Sequence, residues 1–144
     1  MSQNYCIYHD LYINTSAKNV FKGISQPDQL NNWWTKKCTG TPKMGEVYNF
    51  YFSEEDNWFG EVTACIPAKS LEITITQADL DWNGTVLDFK LAEEKGKVLL
   101  SFMHRMWKTD NKHFRISSFC WAMLLNGLKN YLEKGVIVPF KNRA

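Results

Sequence analysis

Two histidines are the side chains of this sequence best suited to chemistry. His9 lies in YCIYHDLYIN and His104 in VLLSFMH, and both segments alternate in the manner of β-strands. The alternation places His9 on the face of Ile7 and His104 on the face of Phe102. Such histidines can act as an acid/base pair near neutral pH or orient a ligand in an apolar pocket. The simpler interpretation, which we favour, is that each is hydrogen-bonded in the core or at the sheet rim.

The remaining reactive side chains form no pattern typical of a catalytic or metal site. Four cysteines are spread over positions 6, 38, 65 and 120, with no CxxC motif and no nearby histidine pair. We therefore expect no metal and no cofactor. Cys120 adjoins Trp121, and we interpret it as a small buried apolar side chain and not as a nucleophile. Neither a Ser-His-Asp arrangement nor a glycine-rich phosphate loop is recognisable, so no catalytic residue is predicted and catalysis is not favoured.

Charge and cysteine usage narrow the classes of partner. Lys and Arg total 17 against 15 Asp and Glu, a net charge of +2, and no basic run occurs, so nucleic-acid binding is not expected. No apolar run approaches the ~20 residues of a membrane span, and no signal-peptide pattern opens the sequence. Scattered thiols favour a reducing, cytoplasmic location. The length of 144 residues predicts a single domain over 1–144.

The candidate residues must be positioned by an α+β arrangement. After the first strand, TSAKNVFKGIS and SQPDQLNNWW predict two short helices, each with a capping residue at its start. Alternating strands follow, joined by short turns, and this predicts an antiparallel sheet with one apolar face. CWAMLLNGLKNYLEKG predicts a long final helix with its apolar stripe at Trp121, Leu125, Leu128 and Leu132. Gly127 lies beside the stripe and leaves room for a close neighbour or a ligand. We expect this helix to cover the concave face of the sheet.

The order of these segments resembles the START-like superfamily that includes the birch-pollen allergen (SRPBCC). The resemblance is strongest to the branch typified by the heat-shock-chaperone ATPase activator. It rests on the Trp33-Trp34 pair, on Gly60-Glu61-Val62 with the Pro67 turn, and on the Trp-x6-Leu-Lys-x-Tyr-Leu ending that starts at Trp121. It implies a helix-grip fold, with a curved antiparallel sheet of about six to seven strands around the C-terminal helix.

The same resemblance implies an apolar cavity between sheet and helix, and it supplies no shared catalytic motif. One departure concerns the second position after the strand-ending histidine. Members of the branch commonly have glycine there, whereas this chain has Met106. We expect Met106 to narrow or reshape one mouth of the cavity.

Aromatic residues make up 15% of the chain, a share that signals a large apolar interior or an apolar site. We therefore predict that the protein binds a small apolar or aromatic molecule. Trp34 precedes a Thr/Gly/Pro loop and is either a gate to the cavity or a packing residue of the second helix. His104 and His9 would supply polar contacts. The apolar wall is expected to comprise Tyr48, Phe50, Ile73, Phe89, Phe102, Trp121, Leu125 and Leu128.

Two other functions stay open. One is a protein-interaction module like the chaperone activator, although we expect no counterpart here of the extra domain that such an activator carries. The other is an enzyme of the cyclase or hydrolase type on the same scaffold, an analogy at the level of fold. A homodimer and a chaperone partner are likewise left open.

Overall fold

The computed structural model describes residues 4–144. Within that range the chain forms seven strands, three α-helices and one short 3₁₀-helix. The strands are β1 (Tyr5–Ile13), β2 (Lys37–Thr39), β3 (Val47–Tyr51), β4 (Asn57–Ile66), β5 (Ser70–Gln77), β6 (Val86–Glu94) and β7 (Lys97–Trp107). The α-helices are α1 (Ala17–Ser25), α2 (Pro27–Leu30) and α3 (Lys112–Lys134), and the 3₁₀-helix spans Phe140–Asn142.

The strands form one antiparallel sheet in the order β1-β7-β6-β5-β4-β3-β2. Strands β2 to β7 follow one another as neighbours, and β1 pairs with β7 at the far side. The predicted α+β helix-grip fold, with a long C-terminal helix and two short helices after the first strand, is confirmed. The short strand β2 lies where the sequence favours a loop, because Thr, Gly and Pro surround its three residues.

The two short helices carry the tryptophan pair to the sheet. The Ser16 side chain caps α1 by accepting from the amide of Asn19, and Pro27 opens α2, where its missing N–H costs nothing. The indole of Trp33 donates to the carbonyl of Gly23 at 2.9 Å. A Cβ at Gly23 would lie 3.2 Å from Leu128, so this glycine lets α1 and α3 approach closely.

Helix α3 begins at Lys112 and includes the last two residues of the polar stretch KTDNKH, which the sequence indicates as preceding the final helix. The Asn111 side chain accepts from the amide of Phe114 at 2.9 Å, so the polar stretch before the apolar stripe contains the cap and the first turn. Trp121, Leu125 and Leu128 are buried as predicted, and Ser117 extends that face toward the N-terminus. Leu132 is only half-buried, because it lies near the helix end.

A β-bulge interrupts the pairing of β1 with β7. Ile7 lies opposite His104 and Tyr5 opposite Trp107, so Arg105 and Met106 together face a single residue. Met106 has a φ of 72°, in the left-handed region where glycine is the ordinary occupant of such a bulge. The bulge changes the alternation, and His104 and Trp107 therefore both point inward. The Met106 side chain itself is exposed, so this residue shapes the strand and not a cavity mouth, contrary to the expectation above.

Replacing Met106 by glycine is expected to stabilise the fold by about 0.5–1 kcal/mol. The left-handed conformation costs a non-glycine residue about 1–2 kcal/mol, which exceeds the entropy that glycine adds to the unfolded chain. Urea unfolding measures the change. Met103→Gly, in the same strand with ordinary backbone angles, is the matched control and should destabilise by about 1 kcal/mol. Equal destabilisation by both substitutions would contradict the assignment of strain to Met106.

Candidate functional site

The imidazole of His104 lies at the centre of the candidate site, and both of its nitrogens are hydrogen-bonded. The Trp121 indole donates to Nδ1 at 3.1 Å, so Nε2 carries the proton and donates to the Thr85 hydroxyl at 2.8 Å. That hydroxyl in turn donates to the carbonyl of Trp82 at 2.6 Å. The network joins β7, α3 and the loop before β6, and it fixes the neutral Nε2–H tautomer.

Burial decides the protonation of this histidine. His104 is fully buried, and removal from water lowers its pKa from 6.5 to about 3, with a smaller contribution from the positive charge that His113 can carry. The ring is therefore neutral across the physiological range. An acid/base role near pH 7 is not available to a histidine held in this state.

Aromatic rings from four parts of the chain meet around Trp121. Its ring lies 5.1 Å from that of Trp34, 5.9 Å from that of Trp82 and 4.5 Å from that of Phe102, measured between centroids. Trp82 also contacts Trp58 at 4.7 Å and donates its indole N–H to the buried hydroxyl of Ser117 at 3.3 Å. These contacts hold the indoles in fixed orientations.

One side of this cluster faces a pocket of about 370 Å³, here called the aromatic pocket. Its aromatic wall consists of Trp34, Phe52, Trp58, Trp82 and Trp121. The N-terminal half of α3 supplies a second wall, made of His113, Ile116, Ser117, Cys120 and Leu124. The third comes from the tail after α3, through Phe140, Lys141, Arg143 and Ala144.

The tail is held across the pocket by Arg143. Gly135 ends α3 in the left-handed conformation and turns the chain back along the helix. The Arg143 guanidinium then donates from Nε to the Val138 carbonyl at 2.8 Å and from Nη1 to the Thr35 carbonyl at 3.1 Å. Because Thr35 directly follows Trp34, the second bond ties the tail to the aromatic wall.

Of the residues predicted from the sequence to form the site, Trp34 and Trp121 line the aromatic pocket. The others lie behind that wall, in the packed core between the sheet and α3. These fully or almost fully buried residues are Tyr48, Phe50, Ile73, Phe89, Phe102, His104, Leu125 and Leu128. They form a continuous packed layer, so the open space begins only beyond Trp121.

His9, the second predicted histidine, connects strand β1 to helix α3. His9 is half-buried on β1, and its Nε2–H donates to the Ser118 carbonyl of α3 at 3.0 Å. The bond fastens the edge strand to the helix. His9 is not among the residues that line the aromatic pocket.

Gly127 lies away from the aromatic pocket. It lines a smaller hollow of about 200 Å³ on the other side of Arg143, together with Trp33, Met123 and Val138. Nothing lies within 4 Å of a Cβ built on Gly127. The space that this glycine leaves therefore belongs to the groove between α3 and the tail.

Several pocket residues escaped the sequence analysis. Ser117 and His113 lie one and two helical turns before Trp121, on the same side of the helix. Extending the helical periodicity to residues before Cys120 would therefore have predicted them. Trp82 lies in a loop, and Phe140 and Arg143 lie in the tail, where no periodic pattern applies. Their places depend on tertiary contacts.

Residues 4–144 contain neither a membrane-spanning helix nor a cluster of metal-ligating side chains. No helix in this range is long and apolar enough to cross a membrane. Nor do three or more His, Cys, Asp or Glu side chains of this range converge as metal ligands.

The sheet gripping a long final helix defines the START-like (SRPBCC) class of protein, and the comparison of sequences narrows the class to one family. The family described as Activator of Hsp90 ATPase homolog 1-like protein matches residues 14–133. Since this match covers most of the chain, the protein belongs to that family. A search of curated proteins finds no significant match.

Solved structures agree with the family assignment. The Aha1 dimer from Colwellia psychrerythraea is 26% identical with a TM-score of 0.82, over 91% of this chain and 98% of that one. Protein SSP2350 from Staphylococcus saprophyticus is 16% identical with a TM-score of 0.79, over 93% and 96% of the two chains. CalU16 from Micromonospora echinospora is 17% identical with a TM-score of 0.72, over 90% and 77%. The last two, at their low identities, show likeness of fold alone.

The protonation of His104 predicts a loss of stability in acid. In the unfolded chain His104 binds a proton below about pH 6.5. In the folded chain it does so only near its lowered pKa of about 3. The free energy of unfolding should therefore fall across this interval, by up to about 1.4 kcal/mol per pH unit from this group.

The test compares the parent with His104→Gln in urea unfolding from pH 7 to pH 4. The variant replaces the fitted imidazole and its two buried hydrogen bonds with a flexible amide, and it should be less stable at pH 7. Its deficit should shrink as the pH falls, because only the parent has a proton to exclude. A deficit that stays constant over this range would overturn the prediction.

Proposed function

We propose that the protein binds a small apolar or aromatic molecule in the aromatic pocket. The observation that carries this proposal is the wall of five aromatic side chains beside a space of about 370 Å³. Small-molecule pockets commonly have volumes of roughly 300–1,000 Å³ and apolar walls with a few polar groups. The START-like scaffold supports the proposal, because its long final helix supplies one wall of this pocket.

The predicted site residues take two roles in this proposal. Trp34 and Trp121 contact the ligand directly, since both line the pocket. The buried residues behind them keep the two indoles in place. His104 belongs to this second group, because both of its nitrogens are already bonded and its ring is fully buried. Its contribution is to orient the indole of Trp121.

The binding test uses the neutral dye N-phenyl-1-naphthylamine, whose emission rises in apolar surroundings. Cys120 lines the pocket, so Cys120→Phe should fill the space and weaken binding by at least about tenfold. Ala122→Phe adds the same ring at an exposed position of the same helix and is the matched control. Circular dichroism checks that both variants keep the fold. If the parent binds no dye, or if Cys120→Phe binds as well as the control, the proposal fails.

A second proposal concerns self-association. Ile116, Phe119 and Met123 follow helical spacing along the outer side of α3 and expose 49%, 67% and 40% of their surfaces. We name this set the outer stripe. Exposed apolar side chains grouped on one face are typical of protein interfaces. The related protein from Colwellia psychrerythraea is described as a dimer. We propose that a second copy of this chain covers the outer stripe.

Sedimentation analysis tests this proposal. A carboxylate buried at an apolar interface carries a large desolvation cost, so Phe119→Asp should convert a dimer to a monomer. Ile66→Asp, which replaces an exposed isoleucine at the end of β4, should leave the dimer intact. A monomeric parent, or equal dissociation by both variants, would contradict the role of the outer stripe.

A further inference from the structure

The charged side chains that line the aromatic pocket are all basic. Among the described residues, its lining includes His113, Lys141 and Arg143 but no aspartate or glutamate. His113 is occupied by acidic neighbours outside the lining, with Asp81 at 2.8 Å and Asp79 at 3.6 Å. The two cations of the tail have no such partner within residues 4–144. The tail therefore brings two cationic side chains, and no acidic one, to its side of the pocket.

Arg143 is the more constrained of these two cations. Its guanidinium is half-buried, and burial lowers its pKa below the usual value. Nε and Nη1 each donate to a backbone carbonyl, whereas Nη2 has no hydrogen-bond partner among the described residues. A cation held partly out of water without an acidic side chain beside it is unfavourable. A bound anion would offset that cost and receive charge-assisted hydrogen bonds.

The opposite side of the pocket is suited to flat rings. Trp34, Trp82 and Trp121 are packed at fixed angles by their neighbours and by the bonds to Ser117 and His104. Aromatic rings bind one another best in offset or edge-to-face contact, beyond the gain from buried area. A rigid wall of indoles thus favours an aromatic ligand over a flexible aliphatic one.

We propose that the ligand is an aromatic acid: a flat ring system that bears one anionic group, such as a carboxylate. Its rings lie against the indole wall, and its anionic group lies at Arg143 and Lys141. This inference rests on the proposed binding function and specifies the class of ligand. Lys141 supplies a mobile second charge, since it is exposed, and Arg143 supplies the fixed one.

A pair of dyes isolates the effect of the anion. 8-Anilino-1-naphthalenesulfonate has the rings of N-phenyl-1-naphthylamine and one added sulfonate. The parent protein should bind the sulfonate dye about tenfold more tightly at low salt, as a charge-assisted hydrogen bond allows. Added salt should reduce this ratio of affinities, because it screens exposed charges.

Substitutions in the tail locate the cations responsible. In the double variant Lys141→Gln, Arg143→Gln the ratio should fall to about one, while Lys134→Gln, at an exposed lysine outside the pocket lining, should leave it unchanged. Any displacement of the tail would weaken both dyes together, so the ratio reports on charge and not on fold.

The outcomes separate the two proposals. If the parent binds neither dye, the proposed function fails. If it binds both equally, binding stands and the preference for an acid is overturned. An advantage of the sulfonate that survives in the double variant would show that Lys141 and Arg143 are not the anion's partners.

Discussion

The imidazole of His104 joins three parts of the molecule at one fully buried point. Strand β7 supplies the ring, the loop before β6 supplies the Thr85 hydroxyl, and α3 supplies the Trp121 indole. A buried imidazole with either nitrogen unbonded would cost several kcal/mol, so helix and loop must be docked together for the core to close. Apolar packing alone would tolerate small shifts of the helix, whereas two directed bonds to one ring do not.

The position of the aromatic pocket follows from the sizes of the side chains on α3. The C-terminal half of the buried face carries Leu125 and Leu128, which fill the space against the sheet completely. Nearer the N-terminus, Ser117 on that face and Cys120 beside it are small. The large rings of Phe52, Trp58 and Trp82 lie across the pocket from them. Space therefore remains next to these two small side chains, and the tail closes that side.

The sequence foretold the parts of this arrangement that depend on periodicity. Strand alternation placed Phe102 and His104 inward, and helical spacing placed Trp121, Leu125 and Leu128 against the sheet, as the structure has them. Three features could not be read in this way. The bulge at Met106 depends on the pairing partner, the start of α3 depends on a single cap, and the contribution of the tail depends on Arg143 reaching a carbonyl far away in sequence. The aromatic pocket itself could not be predicted, because its open volume depends on how residues from separate parts of the chain pack together.

All six tryptophans of the chain belong to one connected group of rings. The ring centroids of Trp33 and Trp34 lie 6.0 Å apart, and those of Trp34 and Trp121 lie 5.1 Å apart. Trp121 lies 5.9 Å from Trp82. Trp82 in turn lies 4.7 Å from Trp58 and 6.3 Å from Trp107. At such separations the transition dipoles of the indoles couple, and excitation energy transfers among the rings before emission. The intrinsic near-ultraviolet spectrum of this protein is thus a collective signal from one location. The chain has no tryptophan elsewhere to act as an internal reference.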